Sequence, residues 1–231
     1  MNYVAPTSNQ EVWVAGNNGT VLRTTDGGQT WSNVWNGAAG TTFYTIEAVD
    51  ANTALVSTWT GGANVAQLYR TSDGGQSWAM VFEQTNGFIN NITLFDQNQG
   101  MTIGDPVGGV WTVLQTRNGG QTWTPITNAP AAVAGDYAGP YSINWVDQST
   151  CWFGSIKSNI FQTTNGGTSW NAGVISLLTS VNSLAFNANG TGLAAYFEGQ
   201  VARTRDGGSS WETISLPGSG ILRYLLSSQN A

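Results

Sequence analysis

The sequence predicts an all-β protein, a β-propeller of four-stranded antiparallel blades. Three observations carry that expectation. An eight-residue phrase, Thr-x-Asp/Asn-Gly-Gly-x-Ser/Thr-Trp, occurs five times, with its acid or amide at Asp26, Asp73, Asn118, Asn165 and Asp206. Successive copies lie 47, 45, 47 and 41 residues apart, the repeat length of propeller blades. Between copies stand short runs rich in β-branched and aromatic residues, bounded by Gly, Asn, Asp or Pro, and none sustains a helical period.

Taken in order, each repeat offers four strands. The first has Asn2–Ala5, Glu11–Ala15, Val21–Arg23 and Trp31–Val34; the second Phe43–Val49, Thr53–Thr58, Ala66–Arg70 and Ser77–Phe82. The third has Ile89–Phe95, Gly100–Ile103, Val110–Thr116 and Thr122–Ile126; the fourth Tyr141–Val146, Thr150–Gly154, Asn159–Gln162 and Ser169–Ala172. The fifth has Val181–Phe186, Thr191–Tyr196, Gln200–Arg203 and Ser210–Ile214. One propeller over residues 1–231 is expected, with blades at about 1–36, 43–84, 88–128, 141–174 and 180–216. Gly220–Leu226 reads as the opening strand of a further blade, so the chain is expected to belong to a longer protein. Remaining blades or another chain would then complete the ring.

Each residue of the phrase has a mechanical reading. The Gly-Gly pair supplies the positive φ of a tight turn. The Asp or Asn oxygen accepts N–H groups of its own turn, helped by the Thr and Ser hydroxyls. The closing residues Trp31, Trp78, Trp123, Trp170 and Trp211 are expected to start the fourth strand and pack beneath the turn. Asp and Asn interchange among the copies, which a shared acceptor tolerates and a metal ligand or general acid does not. The boxes are therefore assigned a structural role, with no metal and no cofactor.

The phrase resembles the Asp-box, or BNR repeat, of sialidases, sortilin-type receptors and many secreted bacterial propellers. That resemblance implies a box between the third and fourth strands, away from the functional face. Gly104-Asp105-Pro106 before Gly108-Gly109-Val110-Trp111, and Cys151-Trp152-Phe153-Gly154 before Ile160-Phe161-Gln162-Thr163, are similar to propellers exported by the type IX pathway. Photosystem assembly propellers of plants and cyanobacteria share the boxes, but their arginine-rich surface is unmatched by the six arginines here.

Composition narrows the chemistry. Charged residues make up 9% of the chain, against roughly a quarter in ordinary soluble domains. Net charge is −6 with seven basic residues, so no basic patch for nucleic acid is expected. Histidine is absent and Cys151 is the one cysteine, which leaves no disulfide framework, zinc set or Cys–His nucleophile. No apolar run approaches the roughly 20 residues of a membrane span. Few charges and a lone thiol, with the resemblance, give the expectation of a secreted or cell-surface, bacterial protein.

Function is expected on the loops opposite the boxes and in the blade-to-blade connections, among them Trp35–Thr42 and, longest of all, Thr127–Pro140. The candidate ligand-binding residues are Trp59, Asn64, Asp105, Trp111, Asp136, Tyr137 and Tyr141, aromatic rings for stacking with amides and carboxylates for hydrogen bonding. Arg23, Arg70 and Arg203 each precede a box, with Gln115 and Gln162 in their place elsewhere. Their number equals that of the sialidase arginine triad, but equivalent repeat positions disperse them, and stems covering apolar surface are expected. No acid–base pair can be assigned among Asp105, Asp136, Asp147 and Glu198. The expectation is a non-enzymatic binding or structural module whose partner is a protein or glycan at the cell surface. The alternative is a glycoside hydrolase or sialidase-like enzyme using loop carboxylates.

Overall fold

A computed structural model describes residues 3–60, 62, 64–196 and 199–215. The further blade expected at 220–231 and the carboxylate of Glu198 lie outside them. The chain divides into two compact units. The first holds residues up to Val107 together with Thr112–Pro125; the second holds Gly108–Trp111 and the chain from Ile126 onward.

In the first unit the strands run in chain order, each pairing with the next. One sheet comprises β1 (Tyr3–Pro6), β2 (Val12–Ala15), β3 (Val21–Thr24) and β4 (Ser32–Asn33). The next comprises β5 (Phe43–Ala48), β6 (Ala54–Thr60), β7 (Val65–Thr71) and β8 (Ala79–Thr85). A third comprises β9 (Ile89–Leu94), β10 (Gly100–Val107), β11 (Val110–Thr116) and β12 (Thr124–Pro125), with Val110 and Trp111 counted in the second unit. The second unit has β13 (Ala138–Trp145), β14 (Cys151–Ser155), β15 (Asn159–Thr163) and β16 (Asn171–Val174). It continues with β17 (Ser183–Phe186), β18 (Gly192–Ala195), β19 (Val201–Thr204) and β20 (Glu212–Ile214). A single parallel bridge, Tyr141 to Ser183, joins β13 to β17 and links these eight strands.

Apolar residues fill the seams between successive sheets. Trp13, Val21, Phe43, Ile46 and Val56 cluster with Trp35, Tyr69 and Trp78. Leu55, Leu68, Ile89, Ile92 and Leu114 cluster with Trp123. In the second unit Trp152 stacks on Phe186, centroids 4.2 Å apart, among Ile160, Ile175, Val181 and Leu184. At about 25 cal/mol per Å² of apolar surface, these large rings dominate the favourable side of folding.

A second device closes the seams. Glu47 on β5 accepts the backbone N–H of Leu94 on β9 at 3.1 Å. Asn144 on β13 accepts that of Phe186 on β17 at 2.8 Å. The two acceptors hold matching places, Glu47 opposite Leu55 on β6 and Asn144 opposite Trp152 on β14. One repeat position therefore ties a first strand to the next sheet's first strand.

The five boxes share one bonding scheme. The Thr hydroxyl oxygen (Thr24, Thr71, Thr116, Thr163, Thr204) accepts the N–H of the second glycine at 2.9 Å. The Oδ1 of the acid or amide accepts the N–H four residues on at 2.9–3.0 Å. In Asp26, Asp73 and Asp206 the second oxygen accepts a Thr or Ser hydroxyl at 2.5–2.6 Å. In Asn118 and Asn165 the amide donates to that hydroxyl instead, at 3.0 and 2.8 Å. A hydroxyl both donates and accepts, so reversing one bond accommodates the swap. These bonds, first those from the hydroxyls of Thr30, Ser77 and Ser210, lower the three carboxyls to about 2.

The box tryptophans differ from the expectation that they begin a strand. β4, β8, β12, β16 and β20 each start after the tryptophan, which stays in the turn. Trp31, Trp170 and Trp211 each donate Nε1–H to the second box glycine's carbonyl at 3.1 Å. Trp78 instead donates to the carbonyl of Val34 at 2.9 Å and packs edge-on to Trp13. For three of the five indoles the turn itself supplies the N–H partner, whereas the buried Nε1 of Trp123 has none among the described residues.

Candidate functional site

A cleft of about 560 Å³ opens in the first unit between the β4–β5 connection and the second sheet. Trp35 anchors that connection: its Nε1–H reaches the carbonyl of Ala38 at 3.2 Å, and the Thr41 hydroxyl donates to the same oxygen at 2.7 Å. Gly40, at φ 110°, permits the reversal. Asn36 donates to the carbonyl of Gln76 at 2.6 Å and pins the connection to the box turn. The Trp35 ring is thereby wedged edge-on against Phe43 and Tyr69, at 4.9 and 5.2 Å, and lies 5.7 Å from Trp78.

The second sheet supplies the other wall. Tyr44 on β5 and Trp59 on β6 stand at the sheet end away from the box and meet at 6.4 Å, both touching Phe88. Trp59 donates to Asn64 Oδ1 at 3.1 Å, and Asn64 Nδ2 donates to Asn86 Oδ1 at 3.0 Å. Asn64 and Asn86 both take positive φ, at 51° and 57°, a conformation asparagine accepts. Deeper in, Tyr69 donates to Gln67 Oε1 at 3.2 Å, and Gln67 donates to Glu83 at 2.8 Å. Burial, then the Glu83 charge, pushes the Tyr69 phenol up, so it stays a neutral donor. Among the described residues no charged side chain lines the cleft.

The structure separates the sequence candidates. Trp59 lines this cleft and Asn64 orients it. Asp105, on β10, accepts Asn90 Nδ2–H at 2.7 Å. Trp111 and Asp136 correct the expectation of surface ligands. Trp111 is 2% exposed and packs on Phe153 and Phe161 at 4.9 and 5.6 Å. Asp136 is 6% exposed and accepts the Tyr137 N–H and Asn159 Nδ2–H at 3.0 and 2.8 Å. Tyr137 is half exposed, and Tyr141 lies at the β13–β17 bridge. The long connection folds back: Trp111 N–H bonds Pro130, and Ala132 N–H bonds Gly109, both at 2.9 Å.

Other polar groups have local work. Arg70 donates to the carbonyl of Gly119 at 2.7 Å, in the next box. Arg23 sits 5.2 Å over the Trp13 ring, and Arg203 pairs with Glu212 at 2.8 Å. Glu212 is lowered by hydrogen bonds from Arg203 and then Arg205. Burial pushes the Cys151 thiol well up, which removes it as a nucleophile at neutral pH. Burial also raises Glu47 to about 7 against the opposing Leu94 N–H. Among the described residues no three His, Cys, Asp or Glu side chains gather as a metal site, and no helix could cross a membrane.

Sequence reasoning placed the Trp35–Thr42 connection on the functional face without naming Trp35 as a ligand-binding residue, and it missed Tyr44, Gln67 and Tyr69. Tyr44 and Trp59 come together through the β5–β6 register, where a bulge falls between Phe43 and Thr45. The usable signal was a tryptophan inside a glycine-rich connection, Trp35 ahead of Gly37 and Gly40.

Residues 3–105 match the family model described as "Photosynthesis system II assembly factor YCF48". An enzyme of Niastella koreensis, GH74, superposes with a TM-score of 0.65 at 21% identity, covering 93% of this chain and 31% of that one. The fold is a BNR-type β-propeller. A puromycin-hydrolyzing peptidase of Mycobacterium tuberculosis superposes at 0.61 with 11% identity, covering 90% of this chain and 36% of that one. The chain thus spans about a third of those two proteins' lengths, and at such identities the likeness concerns fold alone. The structure titled "YCF48 bound to D1 peptide" shares 18% identity over 92% of this chain and 81% of that one, with a TM-score of 0.44. No curated protein sequence matches. The expectation of a secreted or cell-surface bacterial protein is overturned here. The model matched by residues 3–105 is described as a photosystem II assembly factor, not a typical secreted protein.

Proposed function

We propose that this propeller module is non-catalytic and binds a segment of a partner protein in the cleft of the first unit. The observation that carries the reading is the uncharged, aromatic-lined cleft formed within residues 35–78. It lies wholly inside the stretch similar to a photosystem II assembly factor. Its volume falls in the range of formed ligand sites, and its rings are held in place by bonds to their own chain. The loop carboxylates support a structural reading, since Asp105 and Asp136 are engaged by Asn90 and Asn159.

A second reading, a neutral glycan in the same cleft, draws on its rings, amides and hydroxyls. A tiled array of peptides and neutral oligosaccharides, probed with the whole chain and with Trp59→Ala, tests both. Peptides retained by the native chain and released by the variant support the proposal. Retention of oligosaccharides alone, or hydrolysis of any probe, would overturn it.

A further inference from the structure

The structure assigns Asn36, in the lining of the cleft, as a site of spontaneous deamidation that turns its amide into a carboxylate. The assignment stands whether or not the cleft binds a protein segment.

The step is intramolecular. The deprotonated backbone nitrogen of Gly37 attacks Cγ of Asn36 and closes a five-membered succinimide, while Nδ2 leaves as ammonia. Water then opens the ring at either carbonyl. One opening gives aspartate; the other gives isoaspartate, with the main chain rerouted through the side chain. Water is the one co-reactant. The reaction needs an unengaged glycine nitrogen beside an amide that is free to turn toward it.

The chain holds six Asn-Gly pairs, beginning at Asn18, Asn36, Asn86, Asn118, Asn165 and Asn189. In four the glycine nitrogen is already a donor: Gly19 to Thr41 O, Gly119 to Asn98 O, Gly166 to Ser149 O and Gly190 to Asn187 O, at 2.7–3.1 Å. The box amides of Asn118 and Asn165 are also held at both ends, by Thr122 and Ser169. In the fifth pair Gly87 is buried, and Asn86 Oδ1 accepts Asn64 Nδ2–H at 3.0 Å. Asn36 has neither protection. Both it and Gly37 are exposed, and among the described residues the Gly37 N–H and Asn36 Oδ1 make no hydrogen bond. One bond, from Asn36 Nδ2–H to Gln76 O at 2.6 Å, holds the side chain, and a single neutral hydrogen bond is a weak restraint. The glycine is imposed by packing, since a Cβ on Gly37 would overlap the Trp35 ring. The wedge that builds the cleft wall therefore requires the neighbour that makes Asn36 labile.

The product changes that wall. A carboxylate cannot donate to Gln76 O, so the pin on the connection is lost. It also brings a negative charge to a cleft with no charged side chain among its described lining residues. Isoaspartate lengthens the main chain where Gly37 already crowds the Trp35 ring, which displaces the ring.

The test incubates the whole chain at mildly alkaline pH in water enriched in heavy oxygen, once folded and once in urea. Peptide mass spectrometry then follows heavy-oxygen incorporation at each Asn-Gly pair. In the folded chain Asn36 should convert about tenfold or more faster than Asn118 and Asn165, whose several bonds must break first. In urea, with those bonds gone, the six rates should draw together to within about threefold. Tryptophan emission of the folded chain should change in step with the loss of Asn36. Folded-state conversion led by any of the other five pairs would overturn the site. A lead of Asn36 that persists undiminished in urea would overturn the argument that the fold sets it. Conversion of Asn36 with unchanged emission would overturn its effect on the cleft wall.

Discussion

Replacing Glu47 with glutamine should remove a pH dependence from folding. Glu47 is half-buried at the β5–β9 seam and accepts the Leu94 N–H, and burial raises it from 4.5 to about 7. A carboxyl raised in the folded state binds its proton more tightly there than in the unfolded chain. Stability is therefore full below the unfolded value of 4.5 and is lost as pH rises through about 7. That shift, at 1.36 kcal/mol per pH unit, is worth about 3 kcal/mol, of which roughly 2–3 kcal/mol falls between pH 5 and 8. With no histidine in the chain, no imidazole competes in that window. Glutamine keeps an oxygen for the Leu94 N–H and never ionises. Urea unfolding followed by tryptophan fluorescence should show the native midpoint about 1 M or more lower at pH 8 than at pH 5, while Glu47→Gln stays nearly level. A native chain equally stable at both pH values, or an equal decline in the variant, would refute the reasoning.

Further outcomes follow from the boxes and seams. Asp73→Asn should leave the urea midpoint close to native, since Asn118 and Asn165 make the same turn with one bond reversed, whereas Asp73→Ala should lower it. Thr71→Val should cost about 1–3 kcal/mol, because the buried Thr71 oxygen accepts the Gly75 N–H. The depressed carboxyls of Asp26, Asp73 and Asp206 contribute stability above the ordinary carboxyl value of 3.8, lost as pH falls toward 2; Asn at all three should flatten that acid limb in a pH titration of unfolding. Gly120→Ala should destabilise by about 1–3 kcal/mol more than Gly109→Ala by thermal denaturation. Both glycines have similar positive φ, but a Cβ at Gly120 would lie 2.5 Å from Leu55 Cδ2, and one at Gly109 meets nothing within 4 Å.

What the sequence made legible was what repeats. Five Gly-Gly turns and their Trp residues declare a propeller, because each blade needs the same turn and repetition averages out chance. The seam bonds were hidden for the opposite reason. Glu47 and Asn144 share a position and a task but not a residue type, so no consensus marks them. Trp111 misled because a tryptophan after Gly108-Gly109 reads as exposed, whereas its ring is buried against Phe153 and Phe161, residues far away in the sequence.

The cleft shows why a propeller announces its scaffold and conceals its ligand. Its rings come from a connection, from three neighbouring strands and from a box, so no single local pattern gathers them. Trp78 is at once a seam residue, bonded to Val34, and a wall of the cleft. Trp35 seals the seam against Phe43 and Tyr69 while presenting its remaining surface to solvent. Substitution at either residue would disturb packing together with the proposed binding. Tyr44 and Thr42 escape that coupling, since their hydroxyls hold nothing in the fold among the described residues. Tyr44→Phe, probed on the same peptide array with the whole chain, therefore tests the proposed recognition apart from stability, where a tryptophan deletion alone cannot.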